Sequence, residues 1–164
     1  MTMQPYEKCH VHSGQRIVIE AAAGTGKTHN ITRIVARIIM ERPDVTIDKM
    51  VIVTFTRAAA AELKTRISQL LTQLEYAVAT GTHAQEELIQ KILKELPESQ
   101  HAEVLAAIRK RLRIALLNLD TAAIGTIHSF ASRCLTENGF DSNLKFGFSL
   151  SESTDGIIND FLND

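Results

Sequence analysis

Three stretches of this 164-residue chain carry residue types whose spacing can do chemistry. The first is Ala21-Ala22-Ala23-Gly24-Thr25-Gly26-Lys27-Thr28, a phosphate-loop pattern in which Ala21 stands where glycine is usual. Such a loop must turn tightly and aim backbone N–H groups at phosphate oxygens, with the positive end of a helix dipole behind them. Gly24 and Gly26 give the backbone its freedom, Lys27 offers a cation to the β- and γ-phosphates, and Thr28 offers a hydroxyl to Mg²⁺. The predicted ATP-holding set is Ala23, Gly24, Thr25, Gly26, Lys27 and Thr28, with Lys27 and Thr28 as the chemical participants and Thr28 as the metal contact.

The second and third stretches are Thr54-Phe55-Thr56-Arg57 and Thr126-Ile127-His128. Phe55 offers a ring face on which a base can stack, and Thr54, Thr56 and Arg57 offer hydroxyl, N–H and guanidinium donors to phosphates. Each residue also has a plainer role. Phe55 can close the core at a strand end, Arg57, Lys64 and Arg66 can form a solvated helix face, and His128 can cap or pack at a helix start. The run Arg109-Lys110-Arg111 with Arg113 reads as a basic surface strip, which is most often simply solvated. Asp120, after Ala115-Leu116-Leu117-Asn118-Leu119, has two readings: a Mg²⁺-holding acid at the end of a strand, or a turn residue closing the helical period that begins at Val104.

The elements that must position these residues are legible from periodicity. Arg16-Ile17-Val18-Ile19-Glu20 reads as a buried strand running into the small-residue loop. Ile31, Ile34, Val35, Ile38 and Ile39 then recur at helical spacing until Pro43. Met50 to Phe55 reads as a second strand, followed by a helix with Leu63, Ile67, Leu70, Leu71, Leu74 and Val78 on one side. Strand, helix, strand, helix with short joints predicts an α/β fold with a parallel sheet flanked by helices. Residues 81–119 change character. Leu88, Ile89, Ile92, Leu93 and Leu96 predict one helix, and Val104, Leu105, Ile108, Leu112, Leu116 and Leu119 a second, forming an inserted helical hairpin. Ala122 to Ile127 returns to the sheet, with a further helix over residues 128–138. Past residue 150, Thr154 can cap a helix bearing Ile157, Ile158, Phe161 and Leu162.

Composition sets the class. Hydrophobic residues make up 45% and charged residues 23%, enough apolar content for a core. No apolar run approaches the ~20 residues of a membrane span, and the N-terminus has no signal-peptide pattern, so a cytoplasmic chain is expected. Cys9 and Cys134 are too few for a disulfide scaffold and too far apart for a Cys-x-x-Cys metal site. Net charge is −1, with four acids and no Lys or Arg in residues 151–164. That balance neither requires nor excludes a nucleic-acid partner.

Set side by side, Ala21 to Thr28, Val53-Thr54-Phe55-Thr56-Arg57-Ala58-Ala59-Ala60-Ala61-Glu62-Leu63-Lys64-Thr65-Arg66-Ile67 and Gly125-Thr126-Ile127-His128-Ser129-Phe130 resemble motifs I, Ia and Ib of UvrD/Rep-type superfamily 1 DNA helicases. The helices between the second and third motifs, and the segment from Phe140 to Leu150, are most similar to the RecB and AddA branch. The resemblance spans roughly residues 15 to 150. It implies an ATP-driven 3′-to-5′ translocase of DNA repair and recombination, built on two RecA-like domains with single-stranded DNA across both. It assigns Gly24, Gly26, Lys27 and Thr28 to ATP and Mg²⁺, and Thr54, Phe55, Thr56, Arg57, Thr126 and His128 to DNA.

Residues 1–150 are then expected to be the N-terminal part of the first RecA-like domain, with its insertion at about 81–119, and 151–164 the start of a helical subdomain. The implied partners are single-stranded DNA, the rest of a helicase chain and the subunits of a helicase–nuclease complex. The sequence departs from the family in lacking the Asp-Glu-x-Gln-Asp-type motif II and any nuclease carboxylate set. Gln4 and Gln15 are the only upstream glutamines for reading adenine, and neither sits in a convincing motif. ATP binding without hydrolysis or unwinding is therefore expected of this chain alone. The alternatives are a complete small NTPase or kinase using Asp120 and a truncated, non-catalytic interaction module.

Overall fold

A computed structural model describes residues 26–137. The first helix, α1, spans Lys27–Glu41 and ends where Pro43 forces the preceding Arg42 out of helical geometry. A single 3₁₀ turn, Ile47–Lys49, leads to strand β1, Val51–Thr54. Helix α2, Arg57–Thr80, is 24 residues and so about 36 Å long. Gly81 ends it at φ +78°, the left-handed backbone that a residue with a Cβ adopts only at a cost. A short 3₁₀ turn precedes α3, Glu87–Leu93, and α4, Glu98–Leu117, begins directly after Pro97. Strand β2, Ala123–Thr126, and helix α5, Ile127–Glu137, complete the described residues.

The apolar periodicities become one helical core. Along α2, Ala60, Leu63, Ile67, Leu71, Leu74 and Ala77 are buried at intervals of three and four, the spacing that lines one helix face. Leu63, Ile67, Leu71 and Leu74 share one core with Val35, Ala36, Ile39 and Met40 of α1, Leu88, Ile89 and Leu93 of α3, and Ile108, Leu112 and Ala115 of α4. Removing a fully enclosed side chain such as Leu71 or Ile108 down to alanine costs about 2–5 kcal/mol at such sites. Helices α2 and α4 run antiparallel. Lys64 near the start of α2 reaches Asp120 just past the end of α4 at 2.9 Å, and Glu75 near its other end accepts from Arg109 at 2.9 Å.

The two strands pair in parallel, Val51 with Ala123 through to Thr54 with Thr126. Everything from α2 to α4 is therefore a crossover between neighbouring strands, as parallel pairing requires. Ile52 and Ile124, register partners on one face, pack on the helical core. Val51 and Val53, on the other face, are exposed among the described residues. The strand predicted at 16–20 and the helix predicted after Thr154 lie outside the described residues.

The elements differ from their sequence forecasts at the ends. β1 stops at Thr54, one residue short of Phe55, and α4 stops at Leu117 although Leu119 continues its period. Leu119 is still buried because the turn after α4 folds it back onto the core. α3 is only seven residues, since His101 at the start of α4 places its Nε2 within 3.0 Å of Leu93 O and 3.2 Å of Leu96 O, where a protonated Nε2 donates to both carbonyls.

Candidate functional site

The first helix carries the described part of the phosphate-loop pattern. Gly26 stands at its N-cap with φ +80°, so the chain enters α1 through a backbone that favours glycine strongly. A Cβ there would lie 3.8 Å from the His29 side chain, an ordinary contact, so the requirement is conformational rather than steric. No side chain caps this helix among the described residues, and its first turn holds no acid. Among the described residues no side chain accepts from its leading N–H groups, and an uncapped helix start suits an anion. Lys27 is exposed and Thr28 half-buried beside it. Gly26, Lys27 and Thr28 fit a nucleoside triphosphate with Mg²⁺ in donor type and backbone; Ala23, Gly24 and Thr25 lie outside the described residues.

The second and third motifs come together at one end of the sheet. Thr54 and Thr126 are register partners at the C-terminal ends of β1 and β2, and each strand runs straight into a helix. Thr56 caps α2, its hydroxyl oxygen accepting from Ala59 N at 3.1 Å. Thr126 holds the start of α5 in the same way, accepting from Ser129 N at 3.2 Å, while the Ser129 hydroxyl donates back to Thr126 O at 2.7 Å. A Cβ on Gly125 would stand 2.5 Å from the Ser129 hydroxyl, so glycine there makes room for this turn. Ser129 and Gly125 were not singled out as site residues from sequence, though the Thr-x-x-Ser spacing is a cap signal that could have found the first.

The individual side chains divide by what they still have to offer. Phe55 is 100% exposed, which removes its reading as a core residue and leaves the whole ring face available. Thr54 donates its one hydroxyl proton to Thr56 O at 2.9 Å and lies 3.5 Å from Gly125 O. Its proton is thus held within the turn from β1 into α2, beside the end of β2. Thr56 accepts with its oxygen and keeps its O–H. Arg57 and His128 are exposed and make no hydrogen bond or ion pair among the described residues. Of the cations forecast as a solvated face, Arg66 pairs with Glu62 along α2 at 2.6 Å, and Lys64 is half-buried against Asp120.

Asp120 is 97% exposed in the turn between α4 and β2. It precedes β2, whereas Thr126 ends it, so Asp120 sits at the opposite end of the sheet from the paired threonines, several residues at about 3.3 Å each. A metal-holding acid belongs beyond the carboxyl end of a parallel strand, where ligands of such sheets lie. The turn-residue reading of Asp120 holds and the strand-end reading does not. Among the described residues no group of three His, Cys, Asp or Glu side chains is placed to hold a metal, and no helix is long and apolar enough to cross a membrane.

Sequence comparison decides the lineage of these three motifs. The family described as UvrD/REP helicase N-terminal domain matches residues 3–163. The chain belongs to that family. Among relatives of this UvrD/REP domain, the "RecBCD enzyme subunit RecB" of Mycobacterium tuberculosis (strain CDC 1551 / Oshkosh) is 33% identical over 151 residues, covering 92% of this chain and 13% of that protein. RecB of Escherichia coli (strain K12) is 34% identical over 147 residues, covering 85% and 12%. An ATP-dependent helicase/nuclease subunit of Bacillus mycoides (strain KBAB4) is 39% identical over 124 residues, covering 75% and 8%. The UvrD/REP chain described here thus spans roughly a tenth of the length of these relatives.

Proposed function

We propose that this chain is the nucleotide- and DNA-contacting front of a RecB-like, ATP-dependent 3′-to-5′ DNA helicase of repair and recombination, folded as part of a RecA-like P-loop domain. The single observation that carries the reading is the register pairing of Thr54 with Thr126, which brings the second and third motifs side by side at the ligand end of a parallel sheet. Lys27 and Thr28, with the loop from Ala23 to Gly26, hold ATP and Mg²⁺; the bound nucleotide supplies the free energy that drives movement along DNA. Phe55 stacks on a base, and Thr56, Arg57 and His128 reach phosphates. Thr54 and Thr126 contribute by fixing the strand ends from which these groups project.

Phosphoryl transfer also needs a strand-end acid for the metal, a group that positions water and cationic stabilisers, of which an arginine finger alone is worth 10³ to 10⁵ in rate. Asp120 is not placed for the first role, and the chain carries no motif II. The assignment of residues 1–150 to the first RecA-like domain and 151–164 to a following subdomain goes with this reading. Its partners are single-stranded DNA, the remainder of a helicase chain and the subunits of a helicase–nuclease complex, in the cytoplasm.

The test is a pair of titrations on this chain. Mg²⁺-ATP is expected to bind weakly, with turnover no greater than that of Lys27→Ala, and single-stranded DNA to bind with a shallow salt slope, about −0.7 per phosphate neutralised. Absence of both binding signals overturns the proposal, and turnover lost specifically in Asp120→Asn would favour the complete-NTPase alternative.

A further inference from the structure

Arg111 is spent in an unusual way for a residue in a basic run. Its neighbours Arg109, Lys110 and Arg113 are exposed, but Arg111 turns inward between the fully enclosed Ile108 and Leu112 of α4. Its Nη2 donates to Met40 O, and its Nε is buried without a partner. The side chain is half-buried, its enclosed Nε is costly to leave unpaired, and burial pushes its pKa below the ordinary value.

Met40 O explains the placement. It is among the last four carbonyls of α1, the groups with no acceptor role inside the helix, and Arg42 N serves only Ile38 O. The last turn of α1 has no basic residue of its own and ends in Glu41, an acid at the negative end of the helix dipole. Arg111 adds a cation at this end from a helix 71 positions away in the chain, where Glu41 itself is paired with Arg37 at 3.0 Å. A second tie from the same insertion meets α1 further forward, Arg33 Nη2 to Glu87 Oε2 of α3 at 2.7 Å. The helix that starts at Lys27 is thus held at its C-terminal end by α4 and along its length by α3.

We propose that Arg111 is a positioning residue for the nucleotide loop: from the inserted helix α4 it fixes the far end of the helix whose near end carries Gly26, Lys27 and Thr28. This rests on the nucleotide reading above. The α3–α4 segment then sets nucleotide affinity without touching nucleotide.

The experiment compares the wild-type chain with Arg111→Met, which keeps a long apolar stem, and Arg111→Lys, which keeps a charged donor. Calorimetry with Mg²⁺-ADP, the thermal midpoint and amide hydrogen exchange along α1 are read for each. Arg111→Met is expected to keep or raise the midpoint, because a buried unpaired N–H is gone. It is also expected to weaken Mg²⁺-ADP by about 3- to 10-fold, the size of a helix-end charge interaction, and to speed exchange in the last turns of α1. Arg111→Lys should recover most of the affinity.

Wild-type affinity in folded Arg111→Met overturns the proposal, as does an affinity loss that merely follows a fallen midpoint with exchange rising equally in α2 and α4. Should Arg111→Met not fold, Arg111→Gln, a neutral donor, carries the same comparison. A wild-type chain that binds no Mg²⁺-ADP overturns the nucleotide reading instead, and unchanged exchange in α1 of the variant then overturns the positioning role by itself.

Discussion

The start of α1 and the starts of α2 and α5 solve the same problem in opposite ways. All three helices leave backbone N–H groups unclaimed in their first turn. α2 and α5 each satisfy one of them from within, Ala59 N through the Thr56 hydroxyl and Ser129 N through the Thr126 hydroxyl. α1 begins at a glycine with φ +80° and has no side-chain cap among the described residues. A self-capped helix start is a rigid platform with little appetite for an anion, whereas an uncapped one beside an exposed lysine is open to a highly charged ligand. The contrast matches a nucleotide triphosphate at the first end and a more diffuse nucleic-acid strand at the other two.

The contrast is broken most directly at Lys27. Lys27→Ala is expected to abolish nucleotide binding measured by calorimetry while leaving single-stranded DNA affinity unchanged. In the wild type, nucleotide at ~100 times Kd should add about 2.7 kcal/mol to stability, and the variant should show none of that gain. A variant that still gains stability from nucleotide would mean that α1 is not the anion-binding end. Next in size is Phe55→Ala. Loss of a base-stacking ring should weaken single-stranded DNA by about 1–3 kcal/mol. Because Phe55 is wholly exposed, the unfolding midpoint should stay put, and unaltered DNA affinity would remove the stacking role.

A smaller effect sharpens the difference in capping. Thr56→Ala should cost about 1 kcal/mol of unfolding free energy, the usual value of a lost N-cap, and Thr126→Ala a similar amount. Denaturant titration reads both; a Thr56→Ala chain as stable as the wild type would show that the cap in α2 is not stabilising. The smallest effect lies at the other end of α1. Arg42 hydrogen-bonds Asp44 across Pro43 and lowers the Asp44 carboxyl from 3.8 to about 2. A depressed acid stabilises the fold above its unfolded pKa, and that contribution fades as pH falls from near 3.8 through about 2. Carboxyl NMR should find the Asp44 midpoint in that range, and it should return to an ordinary aspartate value in Arg42→Ala.

Much of this architecture was legible in the order of residues. The helical periods of α1, α2 and α4 and the apolar runs of β1 and β2 located most of the described elements around the site, because burial of one face imposes those repeats. The residues at the strand ends were likewise singled out by type and spacing, and the structure pairs the two strand ends. What could not be read were the long-range pairings. Nothing near Phe55 says that the strand stops one residue before it. Lys64 and Asp120, or Arg111 and Met40, meet only because α2 and α4 lie antiparallel against α1, and local sequence carries no record of such contacts. The same holds for the division among the threonines, where the partner of each hydroxyl depends on how the strand ends meet.

The parallel pairing of β1 with β2 also governs the order in which this region can assemble. Thr54 and Gly125 touch across 71 positions of chain, most of it in α2, α3 and α4. Helices form from neighbours in sequence, but this strand pair must wait for that long crossover to close, a separation that slows folding. During synthesis the ribosome releases Phe55 and Arg57 well before Thr126 and His128, so the early chain holds half of the edge that the two strand ends form. That edge becomes whole only when the helical crossover has packed and brought the second strand back beside the first.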